Sequence, residues 1–236
     1  MIITEQTTVA DLASTLPSSV RVFQRHGIDF CCGGRTPLAL ACREQGVPFA
    51  EVVSAIEASA QEPPEHACDW NHEPLHALID HIVATYHDPL RDELPRLASM
   101  ADKVSRVHGA RAPHLKRLEA IVAELSADLG SHMRKEEMVL FPAICTIEGG
   151  RRAPAASLSA PIEVMEHEHD RAGALLFELR SITSEYIVPE WACATFRALY
   201  DGLSELETTM HVHVHLENNI LFPRALALIG GAVPRG

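Results

Sequence analysis

The chain has 236 residues, 47% apolar and 22% charged, which is the balance of a globular protein and excludes a disordered tail. With 20 Lys+Arg against 32 Asp+Glu the net charge is −12, and no basic cluster offers a footprint for a nucleic-acid backbone. No apolar stretch approaches the ~18 residues of a bilayer span, and the first residues lack a charged-then-apolar signal pattern. A soluble cytoplasmic protein that binds neither nucleic acid nor membrane is expected.

Apolar residues recur at three- and four-residue steps and rarely alternate, so the class is all-α. Thr8–Thr15 runs up to Pro17, Ser18–His26 ends at Gly27, Pro37–Gln45 ends at Gly46, and Pro48–Ala60 follows. Proline suits a first helical turn and glycine the position just past a last one, so these breakers mark four short helices. Residues 61–71, with Pro63-Pro64, read as a linker between a small N-terminal domain (1–62, charge −3) and a larger domain (63–236, charge −9). Four longer helical patterns follow, at 74–108, 112–147, 160–184 and 189–229, with Gly149-Gly150 and Pro154 dividing the second from the third and Pro189 opening the fourth. Such helices with short connections predict an up-down four-helix bundle. Pro89 and Pro95 are expected to kink or interrupt the first of them.

The second and fourth patterns share the signature H-x₃-E-x₃-L-F-P, as His132/Glu136/Leu140-Phe141-Pro142 and as His213/Glu217/Leu221-Phe222-Pro223. The first and third each offer a His-Asp pair, His87-Asp88 and His169-Asp170. The intervals match, 45 residues from His87 to His132 and 44 from His169 to His213, so two similar helix hairpins are implied. Helical spacing decides which way these residues face. Leu199, Leu203, Leu206, Met210, His213, Glu217 and Ile220 step by three and four, as do Leu115, Leu118, Val122, Leu125, Leu129, His132, Glu136 and Val139. His87 continues the stripe of Ile79, Val83, Leu90, Leu94 and Leu97, and His169 that of Ile162, Met165, Ala172, Leu176 and Leu179.

Four histidines and two glutamates are therefore expected in one core, with no Lys or Arg on the same stripes. An unpaired buried carboxylate carries a penalty of several kcal/mol, so ~two cations coordinated by imidazoles and bridged by carboxylates are the simplest compensation. Two divalent ions with four neutral His and two Glu⁻ leave a positive remainder that an oxo or hydroxo bridge offsets. Mixed imidazole and carboxylate donors suit iron, manganese or zinc. A hydrogen-bonded structural core is the competing account, and the doubled motif weighs against it. His211 and His215 lie ~200° around the helix from His213 and are expected to face solvent; His167 and His81 also fall off the ligand faces.

Cys31-Cys32 precedes Gly33-Gly34. Adjacent cysteines do not form a C-x-x-C turn, and a vicinal disulfide closes a strained, reducible ring. A helix starting near Pro37 is expected to lower a thiol pKa if its N-terminus points at one. Two reduced surface cysteines at a helix–turn junction are the alternative. Cys42, Cys68, Cys145 and Cys193 show no pattern and are expected to be packing residues.

His87, His132-x₃-Glu136, His169 and His213-x₃-Glu217 resemble the ligand pattern of the hemerythrin-like di-iron bundle. With Asp29-Phe30-Cys31-Cys32-Gly33-Gly34 and the run from Leu216 to Leu226, nearly the whole chain resembles the iron–sulfur cluster repair proteins of the RIC, or YtfE/ScdA, family. The resemblance implies a cytoplasmic non-haem di-iron protein, monomer or homodimer, that restores clusters damaged by nitrosative or oxidative stress. Its implied partners are proteins with damaged clusters, with nitric oxide or oxygen as small ligands. Cys31 and Cys32 then become candidate redox or partner-contact thiols. The reading leans to an iron donor over an enzyme. A di-iron enzyme reducing nitric oxide or peroxide, and a hemerythrin-like O₂/NO sensor, are the alternatives. An oxygen-carrying hemerythrin would resemble H-x₃-H on the third helix, where Gly173 stands here, and H-x₄-D on the fourth, where Asn218 stands.

Overall fold

The computed structural model describes residues 3–61, 68–151 and 156–230, and every regular element among them is helical. Most of the expected linker at 61–71, including Pro63-Pro64, and Pro154 lie outside the described residues. Among the described residues no helix is long and apolar enough to cross a membrane. Described residues up to Leu78 and from His211 onward form one compact unit, and Ile79–Met210 form the other.

In the first unit, α1 (Val9–Thr15), α2 (Ser19–His26), α3 (Leu38–Glu44) and α4 (Phe49–Ala60) follow the breakers closely. Thr8 caps α1 by accepting the Asp11 amide at 3.1 Å, and Gly27 ends α2 in the left-handed region with φ 65°. The starts of α1 and α3 are tied together, since Leu38 N donates to Thr7 O at 2.9 Å and Val9 N to Thr36 O at 3.1 Å. Val9, Leu12, Phe23, Phe30, Leu38, Val52 and Ile56 make the core, and burial of each such side chain contributes about 1.5–3 kcal/mol. Val212 packs against that core.

The long helices are not uniform α-helix. One rod runs through α5 (Leu75–Ile82), a π-helical stretch at Val83–His87 and α6 (Asp88–His108). The next runs through α7 (Leu115–Lys135), a π stretch at Glu136–Leu140 and α8 (Phe141–Glu148). The third is α9 (Ala156–Ile182), wholly α. The fourth is α10 (Ala194–Leu216), a π stretch at Glu217–Leu221 and α11 (Phe222–Gly230). It starts at Ala194 and not at Pro189, because Ala192 N turns back onto Pro189 O at 2.9 Å.

Each π stretch ends two residues before a proline: Pro89, Pro142 and Pro223. A proline ring lacks the N–H for the carbonyl four residues back and collides with it, and a local π turn displaces that carbonyl. The extra residue shifts the helical phase. On the second rod the inward stripe therefore passes from Glu136 to Leu140, which is 2% exposed, while Val139, expected inward, is 60% exposed. Pro95 is carried inside α6 without such a stretch.

Within the second unit α6 packs along α7 and α7 along α9. Gly202 lets α10 approach α6 closely, since a Cβ there would lie 2.9 Å from Leu97 Cδ2. Arg180 on α9 binds the buried Glu207 of α10, Nε to Oε1 at 2.9 Å. These contacts close a four-helix bundle.

Candidate metal centre

All six residues expected as ligands are buried, none more than 3% exposed. His87 sits at the last position of the first π stretch; Glu136 and Glu217 open the second and third. The same backbone irregularity thus displays a donor on three of the four rods. His169 lies in unbroken α-helix, where no proline follows.

In the second unit, His132 Nε2 is 3.3 Å from Glu136 Oε2 and 3.0 Å from His169 Nε2. His87 Nε2 lies 3.5 Å from the same Glu136 oxygen. A single carboxylate thus has three imidazoles around it. Outside these pairings, both Glu136 oxygens are buried and have no hydrogen-bond partner. A bare carboxylate in that position is very unfavourable, whereas a cation would satisfy it together with the imidazole nitrogens.

The outer nitrogens of two histidines are already engaged. His87 Nδ1 is 2.8 Å from Glu137 Oε1, and His132 Nδ1 is 3.0 Å from Glu168 Oε2. A carboxylate only accepts, so Nδ1 carries the hydrogen in each ring and Nε2 presents its lone pair to the Glu136 side. Arg91 anchors Glu137 and Lys135 anchors Glu168. Burial raises the Glu168 carboxyl, but its bonds to Lys135 and His132 win and hold it below the ordinary range. The sequence marks both carboxylates by position, Glu137 directly after Glu136 as Asn218 follows Glu217, and Glu168 directly before His169, but gives neither a role.

In the first unit, His213 Nε2 is 3.0 Å from Glu217 Oε1, one turn along the same helix. His215, expected to face solvent, is 3% exposed. It points away from the His213 face as the helical count requires, but it is covered by Phe30, whose ring lies edge-on at 5.6 Å. Burial lowers its pKa to about 4 against hydrogen bonds to the Phe30 and Ala13 backbone that act the other way. His211 is half-buried and also meets the Phe30 ring, at 6.1 Å. His167 is exposed and His81 half-buried, off the ligand faces as expected.

The Cys31-Cys32 segment belongs to the same unit as His213 and Glu217. Asp29 organises it: Oδ1 accepts from the amides of Cys31 and Cys32 at 3.0 Å each, and Oδ2 from Gly33 N at 2.9 Å. The two sulfurs are 3.8 Å apart as free thiols. Cys31 is buried and Cys32 half-buried, so they are not two surface cysteines. The expected lowering of a thiol pKa is reversed at Cys31, where its hydrogen bond to Cys32, burial and the Asp29 carboxylate push the thiol well up. Of the four other cysteines, only Cys42 is fully buried; Cys68 and Cys193 are exposed, and Cys193 Sγ lies 3.3 Å from His108 Nε2.

Comparison with known proteins gives the arrangement a context. Residues 78–225 match the family described as the hemerythrin HHE cation binding domain. Residues 5–60 match ScdA_N, described as a domain of unknown function (DUF542). The chain is 40% identical over 215 residues to the iron-sulfur cluster repair protein YtfE of Yersinia pseudotuberculosis serotype IB, covering 91% of this chain and 94% of the relative. It matches the protein of the same name from Yersinia pestis strain Pestoides F to the same extent.

Proposed function

The chain belongs to the hemerythrin-like iron–sulfur cluster repair family, and on that premise we propose that it restores iron–sulfur clusters damaged by nitrosative or oxidative stress, acting in the cytoplasm. The observation that carries this reading is the Glu136 carboxylate, fully buried, without a hydrogen bond and surrounded by His87, His132 and His169. His87, His132, Glu136, His169, His213 and Glu217 are the residues that would hold two iron ions. The doubled H-x₃-E motif within one matched domain, residues 78–225, supports assigning the His213–Glu217 pair to the same task. Bound iron would supply both the ion to be donated and the redox chemistry of a di-iron pair toward nitric oxide or oxygen.

The chain's own residues do the rest. Glu137 and Glu168 fix the tautomers of His87 and His132, so that each ring presents Nε2. The apolar stripes above and below, from Leu129 to Leu140 on the second rod, exclude water and keep the donors from being solvated individually. Cys31 and Cys32 are the thiols proposed to meet a client protein or to carry a redox or nitrosyl step. The partners are proteins with damaged clusters, met by a monomer or homodimer of this chain.

The test is a repair assay on a purified protein whose cluster has been damaged by nitric oxide, with iron counted in both proteins before and after. Transfer of iron from this chain with recovery of the client's activity is expected. Recovery without iron leaving, or nitric oxide turnover with added reductant and no recovery, would contradict it.

A further inference from the structure

One side chain that the proposed chemistry leaves unused joins the thiol segment to the ligand-bearing helix. Asn219 stands two residues after Glu217, in the π stretch, and belongs to the same compact unit as the Cys31-Cys32 segment. Its Nδ2 donates to Phe30 O at 3.0 Å and lies 3.0 Å from His215 Nδ1. The carbonyl of Cys31 is reached at 3.4 Å by Nδ2 of both Asn218 and Asn219. On the other side, Gly34 brings the backbone so near that a Cβ would lie 3.3 Å from Asn219 Oδ1 and 2.8 Å from Ala10 Cβ. The Phe30 ring, 1% exposed, is wedged against Phe23, His211 and His215.

The consequence falls on Cys31. Its carbonyl and that of the preceding residue are held by amides from the ligand helix, and its sulfur lies against Asp29 and Cys32, with the residue 5% exposed. A thiol so covered cannot meet a partner's sulfur, iron or nitrosyl group while those bonds persist.

We propose that Asn219 is a positioning residue that clamps the Cys31–Cys32 segment closed on the helix carrying Glu217, so that Cys31 becomes reactive only when the clamp releases. This rests on the reading of Cys31 and Cys32 as functional thiols. The clamp places the thiols under the control of the π stretch that also carries Glu217. A change at Glu217 then has a short covalent path, two residues, to the groups holding the thiol shut.

The experiment uses the full-length, iron-loaded protein and N-ethylmaleimide, with labelling of each cysteine followed by peptide mass spectrometry. Cys68 and Cys193, both exposed, report the reagent, and Cys42, 1% exposed in the N-terminal core, reports general loosening. In the native protein Cys31 and Cys42 should label slowly. Asn219→Ala should speed Cys31 roughly tenfold or more, the shift expected from losing one or two neutral hydrogen bonds, with Cys42 slow and iron content unchanged. Its pH profile of labelling should move down toward that of an ordinary thiol.

Asn219→Asp, which keeps the shape and removes both N–H donors, should behave like Asn219→Ala and serves if the alanine variant folds poorly. Unchanged labelling of Cys31, protection by Asn219→Asp, or parallel acceleration of Cys31 and Cys42 would each overturn the clamp. Selective opening of Cys31 with unchanged cluster repair would support the clamp and remove the thiols from the repair reaction.

Discussion

The two copies of H-x₃-E-x₃-L-F-P share a backbone but not a surrounding. In both, the His lies in the last turn of an α segment, the Glu opens a π stretch, and the Phe-Pro pair restarts α-helix. The positions after the glutamate diverge. On the second rod Met138 is 77% and Val139 60% exposed, and Glu137 reaches across to His87. On the fourth rod the corresponding Asn219 grips the Phe30 carbonyl and Ile220 is only 4% exposed. The motif thus encodes a local backbone and an inward pair of donors, and the next three residues decide whether that segment faces water or carries the thiol loop.

The largest expected effect is at the carboxylate shared by three imidazoles. Glu136→Leu should abolish most iron binding while the metal-free protein keeps or gains stability, by about 1–4 kcal/mol, because a costly buried charge is replaced by a hydrophobe. Iron analysis and thermal melts in chelator check both halves, and lower stability in the metal-free state would contradict the argument from desolvation.

Neighbouring histidines on the fourth rod should respond in opposite ways. His213→Ala should lose iron sharply. His215→Ala should retain it and instead lose about 1–3 kcal/mol of stability, as a void is left beside Phe30 and the Asn219 amide loses a buried partner. Comparable iron loss in both would mean that the helical-face assignment is wrong.

A smaller effect belongs to the carboxylate behind the His87 ring. Glu137→Gln should weaken iron binding about 10–100-fold in a chelator competition, since His87 loses the carboxylate that fixes its tautomer. No change would show that Arg91 or the helix alone orients the ring. Smallest of all, Val139→Thr should shift stability by less than about 0.5 kcal/mol, while the matching Ile220→Thr should cost about 1–3 kcal/mol. Equal costs would erase the contrast between the two copies.

Much of this was legible in the chain because helical periodicity is strict where a stripe must be buried. The breakers around Gly27, Pro37 and Pro48 mark real helix ends, and the six donor positions fall on inward stripes. The π stretches were not anticipated, although each is announced by a proline inside an otherwise continuous helical pattern. A count in steps of three and four placed Val139 inward and missed that one extra residue had rotated the stripe onto Leu140. His215 failed for another reason. Periodicity says which way a side chain faces, and not what lies there; a face turned from the donors can be covered by Phe30, about 185 residues away in sequence. Cys31 shows the same limit, its thiol being governed by Cys32, burial and Asp29 and not by a helix start.

The buried imidazoles and carboxylates are proposed to bind a pair of irons, and an anaerobic titration of the metal-free protein with Fe(II) separates that reading from binding of a single ion. A break at ~two equivalents per chain is expected, accompanied by an imidazole–carboxylate iron spectrum and lost in Glu136→Leu. Saturation at a single equivalent, or identical binding by the native and Glu136→Leu proteins, would contradict it.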